Sequence, residues 1–390
     1  MKTLADLGEL DGQRVLVRVD FNVPLHDGRV ADDTRIRAAL PTIAALRERG
    51  AALVLVSHLG RPKGIDESLS LAPVAARLGE LLGAEVTLTP PGIGEDVAKL
   101  ARALGPGDVL LLENIRFEPG ETRNDPDLAA RLAGLADVYV NDAFGAAHRA
   151  HASTEGVARL MPRRAAGLLL EKEVTTLTQL LESPSRPLVA VLGGAKVSDK
   201  IGVIESFQRV ADTILIGGAM CFPFLAAQGH DIGASLCVAE DVELAHRAIE
   251  AGASARASIA LPSDLVLADH FGPDAEPRPL DGVDVPAGLM GLDIGPRSAQ
   301  AYGQIILTAG TVFWNGPMGA FELAPFSAGT RTVAQAVAAA PGVTVVGGGD
   351  SAAALVQFGL EHEVSHLSTG GGAALELIEG RALPGVEVLA

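Results

Sequence analysis

The sequence predicts an α/β protein made of two doubly wound, Rossmann-like parallel-sheet domains joined by a helical hinge. Short apolar runs alternate with amphipathic stretches from end to end, which is the pattern of βαβ units. The chain's 390 residues are more than one hydrophobic core usually holds. A hydrophobic fraction of 48% with only 4% aromatics, beside 45 glycines, suits aliphatic cores with glycine at strand-to-helix turns.

In the first half the predicted strands are Arg14–Asp20, Ala52–Ser57, Val86–Thr89, Val109–Glu113 and Val138–Asn141, with helices at Thr34–Arg49, Leu71–Leu82 and Pro126–Leu135. The rhythm pauses at Leu168–Glu182, an amphipathic stretch ending in Ser-Pro-Ser-Arg-Pro that reads as a helical connector. It restarts with strands Leu188–Leu192, Thr213–Ile216, Ser258–Leu261, Leu265–Leu267, Thr311–Trp314 and Thr344–Val346. The expected division is a first domain over 1–167, a hinge over 168–186 and a second domain over 187–372.

Composition excludes several classes. A net charge of −17 disfavours a non-specific nucleic-acid binder, because phosphate backbones attract basic surfaces. No apolar run approaches the roughly 20 residues of a membrane span, and Met1–Gly12 lacks a basic-then-apolar leader pattern. Two cysteines, Cys221 and Cys237, make no disulfide framework. A cytoplasmic protein with neither a membrane nor a nucleic-acid partner is expected. The charge is unevenly spread: residues 1–170 carry 20 Lys and Arg against 23 Asp and Glu, whereas residues 171–390 carry 11 against 25. If one domain binds a small anion, it is the first.

Ligands of open α/β sheets bind beyond the carboxyl ends of the strands, and the unusual polar residues cluster there. Asp20 and Asn22 end the first strand, and Ser57, His58 and Arg61 the second. Glu113, Asn114 and Arg116 end the fourth, and Asn141, Asp142, His148, Arg149 and His151 follow the fifth. A lone strand-end arginine usually pairs at the surface. Arg61, Arg116 and Arg149 on one sheet edge would repel one another unless an anion sat among them, and guanidinium suits bidentate phosphate and carboxylate recognition. This edge reads as a site for a small, multiply anionic molecule.

The second half carries glycine turns. Gly193-Gly194-Ala195-Lys196-Val197-Ser198-Asp199-Lys200 follows a strand and is expected to open a helix, giving an anion seat of backbone N–H groups with two lysines beside it. The chain holds only six lysines against 25 arginines, so two of them four apart suggest a need for compact ammonium groups. In the turn Gly347-Gly348-Gly349-Asp350-Ser351 and the residue after it, Gly347, Gly349 and Ala352 formally match a dinucleotide fingerprint. The next strand ends in Ser368-Thr369-Gly370-Gly371-Gly372, without the acidic residue that reads an NAD ribose, and this favours phosphates. Asp350 reads as a Mg²⁺ ligand, a helix N-cap, or both. Phosphoryl transfer between a small acid and a nucleotide is the expected chemistry. The rivals are an NAD-dependent dehydrogenase and a non-catalytic nucleotide-binding scaffold.

Arg18-Val19-Asp20-Phe21-Asn22-Val23-Pro24, Ser57-His58-Leu59-Gly60-Arg61-Pro62, Glu113-Asn114-Ile115-Arg116-Phe117 and Asn141-Asp142-Ala143-Phe144-Gly145 resemble segments of the phosphoglycerate kinase family. So do Gly193–Val197, Trp314-Asn315-Gly316-Pro317-Met318-Gly319, Gly347–Asp350 and Ser368–Gly372, in order and over essentially the whole chain. The resemblance implies reversible transfer between 1,3-bisphosphoglycerate with ADP and 3-phosphoglycerate with ATP, assisted by Mg²⁺, in a monomer. By the same resemblance, Asp20, Asn22, Arg35, His58, Arg61, Arg116 and Arg149 would bind the glycerate ligand. Gly194, Lys196, Lys200, Gly217, Gly218, Gly291, Asn315, Glu322, Gly348, Gly349, Asp350 and Ser351 would bind nucleotide, with Glu322 on the ribose and Asp350 on the metal. Arg35, Lys196 and Gly371 would act on the phosphoryl group in flight, and residues 373–390 would return to the first domain. Cys221-Phe222-Pro223-Phe224 departs from the family's usual Ala-Phe-Thr-Phe, and Ser351 stands where Thr is common.

Overall fold

The computed structural model describes residues 1–390. The chain divides into two compact units, Met1–Thr175 with Ala382–Ala390, and Thr176–Arg381.

The first unit is built on a six-stranded sheet in the order Val86–Leu88, Val109–Leu111, Ala52–Val56, Arg14–Arg18, Val138–Asn141, Arg164–Ala166, with every pairing parallel. Ala52–Val56 is buried at all five positions, as a strand covered on both faces must be. Helices Thr34–Glu48, Ala72–Leu82, Glu95–Arg102 and Pro126–Ala133 supply the covering layers. The last has a clear start signal: Asp125 accepts the N–H groups of Asp127 and Leu128 at 3.0 Å each, and Pro126 takes a first-turn position where no donor is needed. Several strands stop one or two residues short of expectation, so Asp20, Ser57 and Glu113 sit just past the ladder in the loops. Strand Arg164–Ala166 has only three residues and no alternation to announce it. The order of the sheet reverses at Arg14–Arg18, which puts the topological switch point in the middle of the unit.

The second unit's sheet runs Ser258–Ala260, Thr213–Ile216, Leu188–Leu192, Thr311–Asn315, Val343–Gly347, His366–Leu367, again all parallel. Numbered within the unit this is the order 3-2-1-4-5-6 of dinucleotide-type folds, with the switch between Leu188–Leu192 and Thr311–Asn315. Its core gathers Val189, Val191, Val312, Trp314 and Val346 with Tyr302, Ile306 and Val333.

Three expectations need correction here. Leu265–Ala268 does not join this sheet; it pairs antiparallel with Arg278–Leu280 and Met290–Ile294 in a separate three-stranded sheet. A short apolar run carries no information about strand direction. Gly193–Lys200 is a loop, and the helix after it begins at Ile201 with Lys200 at its N-cap. Residues 373–381 stay with the second unit because helix Gly371–Ile378 packs there, with Ser206 Oγ donating to Ile378 O at 2.7 Å; only Ala382–Ala390 groups with the first unit. The connector helix spans Leu168–Glu182, and the N–H groups of Leu169 and Leu170 are capped by Asp142 at 2.9 and 3.3 Å. Burial pushes the Asp142 carboxyl up to about 7.

Candidate active site

At the switch point of the first unit the strand-end loops enclose a cleft of about 740 Å³. Asp20, Asn22, Arg35, His58, Arg61, Arg116 and Arg149 all line it, with Lys63, His148 and His151. The structure therefore brings together all seven residues expected to bind the glycerate ligand, whereas Ser57, Glu113, Asn114, Asn141 and Asp142 lie outside the cleft, the last four bonded to backbone groups of the protein. Several are held by the fold itself. Arg35 Nη1 donates to Asp20 Oδ2 at 3.0 Å. Asn22 Oδ1 accepts from Gly60 N at 2.9 Å, and Arg116 Nη1 donates to Gly60 O at 2.6 Å, so the His58–Arg61 loop is clamped from both sides. Arg116 Nε is buried with no partner in the protein, a donor available to an anion.

Beneath the cleft lies a buried network that the sequence reading missed. Arg18 is 1% exposed; its Nε donates to Ser153 Oγ at 2.8 Å and its Nη2 lies 3.1 Å from His58 Nδ1. Ser153 in turn donates its hydroxyl and its backbone N–H to the buried Glu121 at 2.7 and 3.0 Å. The only available signal was a charged residue inside a strand apolar on both faces, where arginine is rarely tolerated unpaired.

This network fixes the chemistry of His58. A guanidinium only donates, so Nδ1 must accept and the proton of the neutral ring resides on Nε2. Burial first, then the charges of Arg18, Arg116 and Arg35, hold the imidazole well below its ordinary pKa. His151 is pulled down to about 4 by burial and by Arg18, Arg116 and Arg149. Both rings are neutral hydrogen-bonding groups at pH 7. Because the folded pKa of His151 lies below the unfolded value of about 6.5, the stability tied to its neutral form is present above that value and is lost as pH falls toward 4. His151→Gln is expected to lose less stability than wild type between pH 7 and pH 5. Equal acid slopes in thermal melts would contradict this.

In the second unit the glycine turns meet at the switch point. Gly193 N donates to Asn315 O and Gly194 N to Pro317 O, each at 3.0 Å, and Gly218 N donates to Met318 O at 2.9 Å. Gly218 has φ +65°, and a Cβ there would lie 2.6 Å from Gly194 N, so only glycine lets these turns touch. Gly348 has φ +93°, and a Cβ there would lie 2.7 Å from Asn315 Nδ2. Helices Gly349–Phe358 and Gly371–Ile378 both begin at this edge, and a Cβ on Gly371 would lie 3.3 Å from Gly348 Cα. Two helix N-termini and a glycine knot make an anion seat.

Other expected nucleotide residues serve the protein first. Lys200 Nζ donates to Gly193 O and to Asn315 O, and burial draws its pKa down to about 8 against the pull of Asp350 and Asp199. Asn315 Nδ2 donates to Gly347 O at 2.8 Å. Ser351 is fully buried and its hydroxyl accepts Gly316 N at 2.6 Å, so it shapes the seat from behind. Gly217 lies against Met318, and Gly291 lies under the Phe222 ring, where a Cβ would be 2.2 Å from Phe222 Cζ. Phe222 belongs to helix Cys221–Ala227, so the unusual Cys-Phe-Pro-Phe segment still forms a helix. Lys196, Glu322, Gly349 and Asp350 are exposed at their positions.

The family model for phosphoglycerate kinase matches residues 4–381. The chain belongs to the phosphoglycerate kinase family. The phosphoglycerate kinase of Roseiflexus sp. (strain RS-1) is 56% identical over 391 residues, covering 100% of this chain and 98% of the relative. That of Moorella thermoacetica is 56% identical over 388 residues, covering 99% and 98%. Among solved structures, the phosphoglycerate kinase of Coxiella burnetii superposes with a TM-score of 0.90 at 42% identity, covering 99% of this chain and 98% of that one. The Pyrococcus horikoshii OT3 enzyme gives 0.85 at 34% identity, covering 100% and 98%. The chain is thus a nucleotide-dependent kinase of glycolysis, a phosphotransferase with a carboxyl group as acceptor. The dehydrogenase and scaffold alternatives fall away.

Proposed function

We propose that the enzyme transfers a phosphoryl group reversibly from 1,3-bisphosphoglycerate to ADP. The acid binds in the cleft of the first unit, and the nucleotide on the glycine knot of the second. The observation that carries the reading is the gathering of four arginines, His58, Asp20 and Asn22 around one cleft. Arg61, Arg116, Arg149 and the Nε2–H of His58 neutralise and orient the ligand's anionic groups. Backbone N–H groups at Gly348, Gly349 and Gly371 take the nucleotide phosphates, with Gly194 shaping the knot through its bond to Pro317 O; Glu322 takes the ribose, and Gly291 with Phe222 forms the base side.

No general base is required. The glycerate oxygen that attacks or leaves belongs to a carboxylate, which is ionised at pH 7. In the forward direction the acyl-phosphate C–O–P bridge breaks at phosphorus, and a terminal phosphate oxygen of ADP forms the new bond. The protein positions the two ends and offsets the charge on the phosphoryl oxygens, with Arg35 on one side and Lys196 and the Gly371 amide on the other. The donor set fits Mg²⁺. Asp350 is one exposed carboxylate in the first turn of its helix, and no group of three or more His, Cys, Asp or Glu side chains forms a protein-only cage. Mg²⁺ is commonly held by one or two carboxylates with phosphate oxygens, and bound there it would supply charge neutralisation and phosphate orientation.

Coupled assay of ATP-dependent phosphorylation of 3-phosphoglycerate is expected to show turnover that vanishes with EDTA and returns with Mg²⁺. A folded protein without such turnover would sink the reading. Reaction requires the two ligands to meet, so closure about the connector helix is part of the proposal; an unchanged radius of gyration with both ligands bound would count against it. A cytoplasmic monomer completes the proposal. No helix is long and apolar enough to cross a membrane.

A further inference from the structure

The second unit buries a carboxylate that the proposed mechanism leaves unused. Asp293, on strand Met290–Ile294, is 4% exposed. Its Oδ1 accepts Ile294 N at 2.9 Å and its Oδ2 accepts Gly329 N at 2.7 Å, in the first turn of helix Ala328–Ala339. It also forms an isolated antiparallel bridge with Gly319. A Cβ would come within 2.2 Å of the carboxylate at Gly319 and within 2.4 Å at Gly329, so both backbones close directly on it. Burial pushes its pKa up to about 7, which is the cost of keeping an acid where an apolar residue would pack freely.

Its position explains what that cost secures. The loop from Gly316 to Glu322 is held on one edge by the glycine turns, through Gly194 N to Pro317 O and Gly218 N to Met318 O. The other edge is held by a backbone bridge between Asp293 and Gly319 and by Ala320 N donating to Leu292 O at 2.7 Å, while the Asp293 carboxylate packs against Gly319 and holds Gly329 N at the start of the helix that follows the loop. Gly291 lies two residues before Asp293 on the same strand, and Glu322 lies three residues after Gly319 on the same loop. We propose that Asp293 is a positioning residue for nucleotide binding, locking the loop that ends in Glu322 to the strand that carries Gly291. The inference rests on the nucleotide reading of this unit.

The test is ADP affinity of the full chain by calorimetry, with thermal melts and 3-phosphoglycerate affinity measured alongside. Asp293→Asn keeps the volume but turns an N–H toward one of the two backbone donors. Val189→Ala, a core truncation at the far end of the central strand, serves as the control for instability alone. Asp293→Asn is expected to weaken ADP about tenfold, the scale of one misplaced charge-assisted hydrogen bond, and to leave 3-phosphoglycerate affinity unchanged. Asp293→Ser, which leaves space for a water at the Gly329 amide, should fall between wild type and Asn and serves if Asn does not fold. ADP affinity equal to wild type in either variant overturns the proposal, as does an equal loss in Val189→Ala. Wild type that fails to bind ADP would sink the nucleotide reading itself, and this inference with it.

Discussion

Lys196→Ala and Arg35→Ala are each expected to lower kcat for phosphorylation of 3-phosphoglycerate by about 10²–10³ while leaving the KM of the distant substrate within a few-fold. The reasoning starts from how the two side chains are held. Lys200 is committed to Gly193 O and Asn315 O, whereas Lys196, four residues earlier on the same loop, is exposed. Arg35 is tethered through Nη1 to Asp20, which leaves the rest of its planar fork for a ligand. Groups that work by offsetting charge on a phosphoryl in flight act in the transition state, so their loss appears in kcat. Arg35→Lys separates charge from geometry. If charge alone mattered it would restore most of the rate; if the fork matters it restores little. A variant that raised KM with kcat intact would move the residue from catalysis to ground-state binding.

The parts of this molecule legible in its sequence are those whose physics is local. Ala52–Val56 and Leu188–Leu192 announce themselves as strands buried on both faces, and the connector Leu168–Glu182 by its helical period. Six of the seven cleft residues were legible because strand ends in a parallel sheet share one edge, so residues far apart in sequence must meet; Arg35, on helix Thr34–Glu48, came only from the family resemblance. What was illegible depends on partners that only the fold supplies. Leu265–Ala268 looks like its neighbours, but its direction is set by pairing with Met290–Ile294. Ser351 reads as a hydroxyl for a phosphate, yet it is turned to Gly316 N by the packing of its helix. Arg18 bonds a serine 135 residues away, and no period or spacing encodes that.

Arg18→Met is expected to destabilise the first unit by about 3–5 kcal/mol, because removing one partner of a buried charge pair leaves the other uncompensated. In a unit of this size that lowers the calorimetric midpoint by roughly 6–20 °C. The stranded charge is Glu121, which is fully buried and joined to Arg18 through the Ser153 hydroxyl. Burial already raises the Glu121 pKa, and Arg18 is the largest influence opposing that rise. Without Arg18 the folded pKa climbs further, so the folded state binds a proton that the unfolded state has released. Stability of the variant should therefore fall more steeply than that of wild type as pH rises above the unfolded carboxylate value of about 4.5. Arg18→Met with Glu121→Gln separates the causes: recovery of much of the loss assigns it to the stranded carboxylate, whereas simple additivity assigns it to lost packing. The double variant should still bind 3-phosphoglycerate weakly even where it regains stability, because nothing then holds His58 Nδ1 as an acceptor and the Nε2–H is no longer fixed toward the cleft. Stability and affinity recovering together would show that the tautomer is set by something other than Arg18.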